Sequence, residues 1–500
     1  MKVSFVLGID CSTQSVTLEV RDVETFHVVD CVSNPLPATQ PPVSEQNPET
    51  WWDSLVKGMR LLHARGLEVR KIGAISVAGQ CHGLVPLDRE CAVIRPAKLW
   101  NDTTSALEAE MLVETYGKEF WVEKVGFVPN AAHTVSKLLW LARHELDTLE
   151  RISKILLPHD YLTYRLTGQF VTDRSEASGT GYFDGVRNVY LFDLVSDVIS
   201  NAFGKEGKGI PSQSWHDVFP EVLEPSEAVG SISPEVAVDL GLASDVIVAV
   251  GGGDQHLGAV GIGLDDGDMC FSIGTSGVTF SSSPTPVRDY SGDVDGVCNA
   301  TGGWLPLTCT LNSTKVTDTV AKWLGVSVQE LGNLAESMGV SCNTPLLVPF
   351  FDGERSPSIP NATGLLEGLT NGTTREDLAF SAFEGVVMGL YAGSRKIRAL
   401  GSGINGVNVA VGGGAKSDVY CQLLADFMGE PVSRLELTEA TARGACVQAL
   451  AAMTGDSIDA VRARVRPSIS STFTPKAERG RSDRFSRYLD MVASRKANCR

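Results

Sequence analysis

Asp254 stands after three consecutive glycines, Gly251 to Gly253, and these follow the short apolar, β-branched run Val246–Val250. A carboxylate just past a buried strand, on backbone free of side-chain bulk, can approach a ligand closely. It suits a general base for a substrate hydroxyl, or a structural cap for the helix that begins near Leu257. A few residues on, Gly274-Thr275-Ser276-Gly277 interrupts two strand-like runs, Met269–Ile273 and Val278–Phe280. Such a turn exposes backbone N–H groups and two hydroxyls, a cradle suited to phosphate. Phosphoryl transfer proceeds through a loose transition state and asks mainly for positioning and charge neutralisation. One segment therefore carries a candidate base and a candidate phosphate loop.

The same plan occurs near the start of the chain. Val3–Ile9 reads as a strand, Asp10 ends it, residues 11–15 turn, and Val16–Val20 returns. Two such hairpins half a chain apart suggest a duplicated α/β unit with a cleft between the copies, although two unrelated hairpins would look alike. Asp10 is placed to hold Mg²⁺ or its water shell, or is a solvated turn residue. The strand Ile72–Val77 delivers Gly79-Gln80-Cys81-His82-Gly83 at its C-terminal end, where ligands sit in open α/β sheets. His82 has no Cys or His at metal-ligand spacing except the adjacent Cys81, which disfavours zinc. It is either a core histidine or a hydrogen-bond donor to a polyol. Gly412–Ser417 lacks the leading glycine of a Walker A loop, but its glycine trio allows a flat ring or a phosphate to lie on bare backbone. A Ser/His/Asp hydrolase would need a G-x-S-x-G elbow, which the chain lacks.

These residues need strands and helices to hold them. The Gly/Ala-rich run Leu257–Leu264 suits a tightly packed helix. Glu49–Ala64 places Trp52, Leu55, Val56, Met59 and Leu62 on one helical face. Thr134–Arg143 reads as a helix carrying Lys137. Thr374 with Asp377 forms a capping box that would start a helix running to about Leu400. Leu346–Pro349 and Val407–Val411 are short strands. Residues 203–234 are rich in Gly, Pro and Ser and read as irregular, which puts the boundary between halves near 245. Beyond about 455 the tail is charged and helical, packed on the surface.

A chain of 500 residues is too long for one compact core. Its net charge of −17 argues against nucleic-acid or anionic-membrane partners. An anionic ligand would then need Mg²⁺, backbone N–H groups or helix N-termini to hold it. The eleven cysteines include no C-x-x-C pair and cannot all pair within one chain, so they read as reduced residues of a cytoplasmic protein. The start MKVSFVLGID is too short an apolar run for a signal peptide, and no window reaches transmembrane length.

Taken together, Asp10, Gly79–Gly83, Asp254, Gly274–Gly277 and Gly412–Ala415 resemble the FGGY family of carbohydrate kinases, and the likeness runs along nearly the whole chain. Gly364–Glu384 fits that family's C-terminal pattern and Thr134–His144 its N-terminal one, with a departure at Ala132. The resemblance implies an α/β fold of two duplicated actin-like ATPase domains, ribonuclease H-like, around a deep interdomain cleft. Residues 1–245 would bind sugar, 246–455 nucleotide, and 456–500 would form a helical tail. It further implies ATP and Mg²⁺, a small-molecule sugar as substrate, a cytoplasmic location and a homodimer. Asp254 would be the catalytic base. Asp10 and Thr13 would face the phosphates and Mg²⁺. Cys81, His82, Asp254 and Gln255 would bind the sugar, while Gly274, Thr275, Gly413, Gly414 and Ala415 would bind the nucleotide. Within the family the likeness is greatest to the subgroup acting on D-xylulose. Cys81 stands where that subgroup carries Met, and Gln255 where it carries Asn. Both changes bear on the acceptor, leaving another ketose or a polyol open. A non-catalytic binding protein on the same fold remains the alternative from another class.

Overall fold

The computed structural model describes residues 3–202, 214–338, 344–476 and 481–498. It divides into two compact units. The first holds the chain up to Gly263 with Gly296–Trp304 and Glu439–Arg466. The second holds Leu264–Asp295, Leu305–Thr438 and the chain from Pro467.

In the first unit the strands run in the order Val28–Pro35, Ser15–Asp22, Phe5–Cys11, Ile72–Gly79, Ile247–Ala249, Ala228–Ser231. The first three pair antiparallel, the next two join in parallel, and the last is antiparallel again. Ile72–Gly79 is buried along its whole length, as expected of a strand covered on both faces. The helix Pro48–Ala64 starts at Asn47, whose side chain accepts from the Glu49 N–H, and has Pro48 in its first turn. Trp51, Trp52, Leu55, Val56, Met59 and Leu62 are buried on it. Each such side chain contributes about 1.5–3 kcal/mol of apolar burial.

The second unit repeats this topology. Six of the seven strands of its sheet run Trp304–Thr310, Gly277–Ser281, Met269–Ile273, Asn408–Val411, Val432–Leu435, Ile469–Phe473. Pairing is again antiparallel, antiparallel, parallel, parallel, antiparallel. The duplication inferred from two hairpins therefore extends to whole sheets. The Thr374 capping box is formed, and its helix runs Arg375–Ala399 through the core of this unit.

The units do not follow the expected division at 245 and 455. Asp254 and the helix it opens, Asp254–Ile262, lie in the first unit, as does Ala440–Thr454. The cause is close backbone packing through glycines. A Cβ on Gly8 would lie 2.0 Å from the Ala442 carbonyl oxygen, one on Gly261 1.9 Å from that of Ala440, and one on Gly444 1.7 Å from that of Leu257. The region read as irregular is also more regular than expected. Residues 203–213 lie outside the described residues, but Trp215–Val218 is a helical turn and Ala228–Ser231 is an edge strand of the first sheet. The tail helix, Arg481–Asn498, is more than a surface cover. It buries Phe485, Tyr488 and Met491, and Arg484 forms a buried two-point ion pair with Glu384. No helix among the described residues is long and apolar enough to cross a membrane.

Candidate active site

Three neighbouring strand ends of the first sheet assemble one cluster. Phe5–Cys11 and Ile72–Gly79 are parallel, with Asp10 opposite Ala78 and Cys11 opposite Gly79. On the other side Gly252–Gly253 pairs with Ala78–Gly79. Asp10, Cys81 and Asp254 thus emerge side by side at C-terminal strand ends. The sequence suggested that Asp10 and Asp254 meet across two domains. They meet instead on one sheet, within one unit.

Asp254 opens its helix with Gly253 as the N-cap. Its Oδ1 accepts from the Gln255 N–H at 2.7 Å and from the Cys81 thiol at 3.2 Å. Burial raises its carboxyl above the ordinary carboxylate value, against the hydrogen bonds from Cys81 and Gln255, which favour the charged form. Asp10 is half-buried, and its Oδ1 is buried with no hydrogen-bond partner. Burial lifts its carboxyl well above the usual range, and the charges of Asp254 and Glu439 lift it further. Acids that raise one another in this way make a site of strongly negative potential.

The supports are specific. Thr13 Oγ1 donates to Gln80 Oε1 at 2.9 Å and accepts from the Trp100 Nε1–H at 2.9 Å, while Gln46 Nε2 donates to the Thr13 carbonyl at 2.8 Å. His82 adopts a left-handed backbone with φ 64°, unusual for a residue with a side chain. It is held there by Glu176 Oε1, which accepts its N–H at 2.6 Å, and by Lys137 Nζ, which donates to its carbonyl at 2.7 Å. The lysine of the N-terminal motif is therefore a positioning residue, fully buried beneath the site. Gln448 ties the glycine loop down. Its Oε1 accepts from the Gly251 N–H at 3.1 Å and its Nε2 donates to the Gly251 carbonyl at 2.9 Å.

Two site residues escaped the sequence reading. Glu176 is fully buried in the short helix Arg174–Ser178, and burial pushes its carboxyl up to about 8. His256 is buried two residues after Asp254, and burial lowers its imidazole to about 4, so it is neutral. The polar stretch Thr172–Ser175 was a partial signal for the first, since Asp173 caps that helix. A histidine in a Gly/Ala-rich helix gave no signal for the second.

In the second unit the other candidates also share strand ends. Met269–Ile273 and Asn408–Val411 are parallel, with Ser272 opposite Val411, so the turn at Gly274 and the loop from Gly412 start beside each other. The Gly274 N–H donates to the Ser276 carbonyl at 3.0 Å, and the Gly274 carbonyl accepts from the Thr314 N–H at 3.0 Å. Thr275 is exposed. Gly412 needs its φ of +89° and lies against the Ile273 carbonyl, where a Cβ would come within 2.7 Å. A Cβ on Gly413 would meet nothing within 4 Å, so Gly413 presents open backbone. Gly414 and Ala415 are buried.

The N-terminal domain of the FGGY family of carbohydrate kinases matches residues 5–261, and its C-terminal domain matches residues 269–453. The chain belongs to this family, and the fold is its duplicated actin-like ATPase architecture. Among similar proteins, a xylulose kinase of Streptomyces rubiginosus is 36% identical over 92% of this chain and 90% of its own. One of Escherichia coli K12 is 34% identical, with 85% of each chain covered. The crystal structure of a xylulose kinase from Bifidobacterium adolescentis superposes with a TM-score of 0.84 at 34% identity, covering 97% of this chain and 99% of that one.

Proposed function

We propose that this carbohydrate kinase transfers the γ-phosphoryl group of ATP to D-xylulose, giving D-xylulose 5-phosphate. The observation that carries the reading is the Asp254 carboxylate at the head of its helix, oriented by Cys81 and Gln255 beside the Asp10 strand end. The xylulose kinases 31–36% identical to the chain support the acceptor. Asp254 orients the 5-hydroxyl and accepts its proton as the new O–P bond forms, a contribution of roughly 10²–10⁴-fold. Cys81, His82 and Gln255 line the sugar. Gly274 and Thr275 hold phosphate oxygens, and Gly413 to Ala415 hold the adenosine.

Mg²⁺ fits the residues present, because the orphaned Asp10 Oδ1 and the mutually repelling acids call for a cation. Asp10 would hold it, directly or through water, with Thr13 close by. When bound with the nucleotide it neutralises phosphate oxygens. In this reading the first unit serves the acceptor and the second the nucleotide. We infer a cytoplasmic location, where ATP is available, and sedimentation would read whether it is a homodimer.

The test is a coupled assay of ADP release across ketoses and polyols, including ribulose, glycerol and sugar alcohols. D-xylulose should give the highest kcat/KM. A higher value for another acceptor reassigns the substrate but keeps the chemistry. Sugar binding without ADP release from any acceptor removes the kinase reading.

A further inference from the structure

Beneath the proposed sugar site, three residues from three separate elements bring a sulfur, a nitrogen and an oxygen ligand atom together. Cys81 follows the strand Ile72–Gly79, Glu176 lies in the helix Arg174–Ser178, and His256 lies in the helix Asp254–Ile262. Their ligand atoms all fall within 4.8 Å of one another. Cys81 Sγ is 3.9 Å from His256 Nδ1, and Glu176 Oε2 is 4.0 Å from the same nitrogen. We propose that Cys81, Glu176 and His256 form a zinc-binding site whose occupation blocks the sugar pocket, so that Zn²⁺ acts as an inhibitor of this kinase.

Three observations carry this beyond a chance cluster. First, Glu176 Oε1 is engaged by the His82 N–H, while Oε2 is buried toward His256 and the carboxyl's side-chain partner is the weakly donating Cys81 thiol. A fully buried carboxylate oxygen left in this way calls for a cation or a proton. Second, the three atoms approach one another only because residue 253 is a glycine against which all of them pack. A Cβ on Gly253 would stand 2.3 Å from Glu176 Oε2, 2.4 Å from His256 Nδ1 and 2.7 Å from Cys81 Sγ. Zinc bonds of about 2.0 Å to nitrogen or oxygen and about 2.3 Å to sulfur set tetrahedral edges of about 3.3–3.6 Å, so the donors, 3.9 and 4.0 Å apart, need to close by about half an ångström on an ion between them. Third, the donor set is the one zinc prefers, with a thiolate, an imidazole and a carboxylate.

A fourth position is available. Cys81 Sγ also lies 3.2 Å from Asp254 Oδ1, and a water completes the tetrahedron. Occupation would take Cys81 away from the sugar and from Asp254. Binding sends two protons to solvent, one from the Cys81 thiol and one from the Glu176 carboxyl. Zn²⁺ is then matched by two anionic ligands and a neutral imidazole. A set without net charge is what a buried site tolerates. Cys81, 8% exposed, offers the ion its way in from the pocket side.

The binding claim is independent of which sugar the enzyme uses, and only the inhibition rests on the proposed function. The test therefore starts with metal. Full-length protein is loaded with Zn²⁺ or with Co²⁺ as a spectroscopic probe and freed of excess metal. One metal per chain is expected, and the cobalt form should show a thiolate-to-metal charge-transfer band with tetrahedral ligand-field bands. Cys81→Met, which keeps an apolar sulfur side chain, should lose the charge-transfer band. His256→Gln should weaken zinc binding by about a hundredfold or more, since even losing an outer partner of a ligand costs about 10–100-fold. Circular dichroism and nucleotide binding check that each variant is folded. With Mg-ATP in excess, Zn²⁺ should raise the apparent KM for the sugar, and a chelator should reverse this. Absence of stoichiometric metal, a cobalt spectrum lacking the thiolate band, or affinity unmoved in both variants would overturn the site. Metal bound as described, with unchanged kinetics, would overturn the inhibition alone.

Discussion

The two hairpins that open the two sheets share one topology and differ in what they present. In the first unit, the hairpin of Phe5–Cys11 and Ser15–Asp22 carries Asp10 one residue before its turn, and the buried oxygen of Asp10 lies among other acids. In the second, Met269–Ile273 and Gly277–Ser281 are joined by Gly274-Thr275-Ser276, whose neighbours along the sheet edge are the glycines from 412. One copy of the fold concentrates titratable side chains at its strand ends, and the other offers mainly backbone and hydroxyls. The division follows what each task demands. Activating a hydroxyl needs a carboxylate of tuned proton affinity, whereas holding a polyanion needs N–H groups and no competing negative charge.

The sharpest break of that contrast is Asp254→Ala. The kcat should fall by about 10²–10⁴ or more, while ADP affinity measured by calorimetry stays within a factor of two or so. Unchanged turnover would remove Asp254 from the chemistry. In the other unit, Arg484→Met removes the two-point partner of the buried Glu384, which should cost up to about 3–5 kcal/mol of stability. Denaturant unfolding would report the loss, and hydrogen exchange should localise it to the second unit.

Next in size are the glycines. Gly413 has φ −60° and open space around it, so Gly413→Ala should fold normally. If ATP lies on that backbone, its KM should rise by roughly tenfold, the effect of one methyl group in a fitted pocket. Gly412→Ala is the contrasting variant, since positive φ and the Ile273 carbonyl should make it lose stability. An unchanged KM in Gly413→Ala would move the nucleotide elsewhere.

The smallest effect sharpens the acidic side. Asp254 acts as a base only when deprotonated, and its pKa is raised. Activity should therefore be lost as pH falls through a value above the ordinary aspartate pKa of about 3.9. The Cys81 thiol favours the charged form, so Cys81→Ala should move this acid limb to higher pH. The ratio of kcat/KM at pH 6 to that at pH 8 would fall relative to the parent. A limb that moves down, or stays, would show that this hydrogen bond does not tune Asp254.

Much of this molecule was legible along the chain. Strand periodicity, the Thr374 capping box and the glycine trios fix short-range geometry, because backbone dihedrals and hydrogen bonds three or four residues apart depend on local residue types. Asp10, Asp254 and Gly413 announced themselves by standing at strand ends. Tertiary structure alone decided that Ala440–Thr454 packs on Asp254–Ile262, that Glu384 pairs with Arg484, and that Glu176 and His256 converge on Cys81. Those partners are separated by 80 to 200 residues along the chain. No local rule gives the close backbone packing that joins them, because it depends on which glycine faces which carbonyl once the sheets have formed.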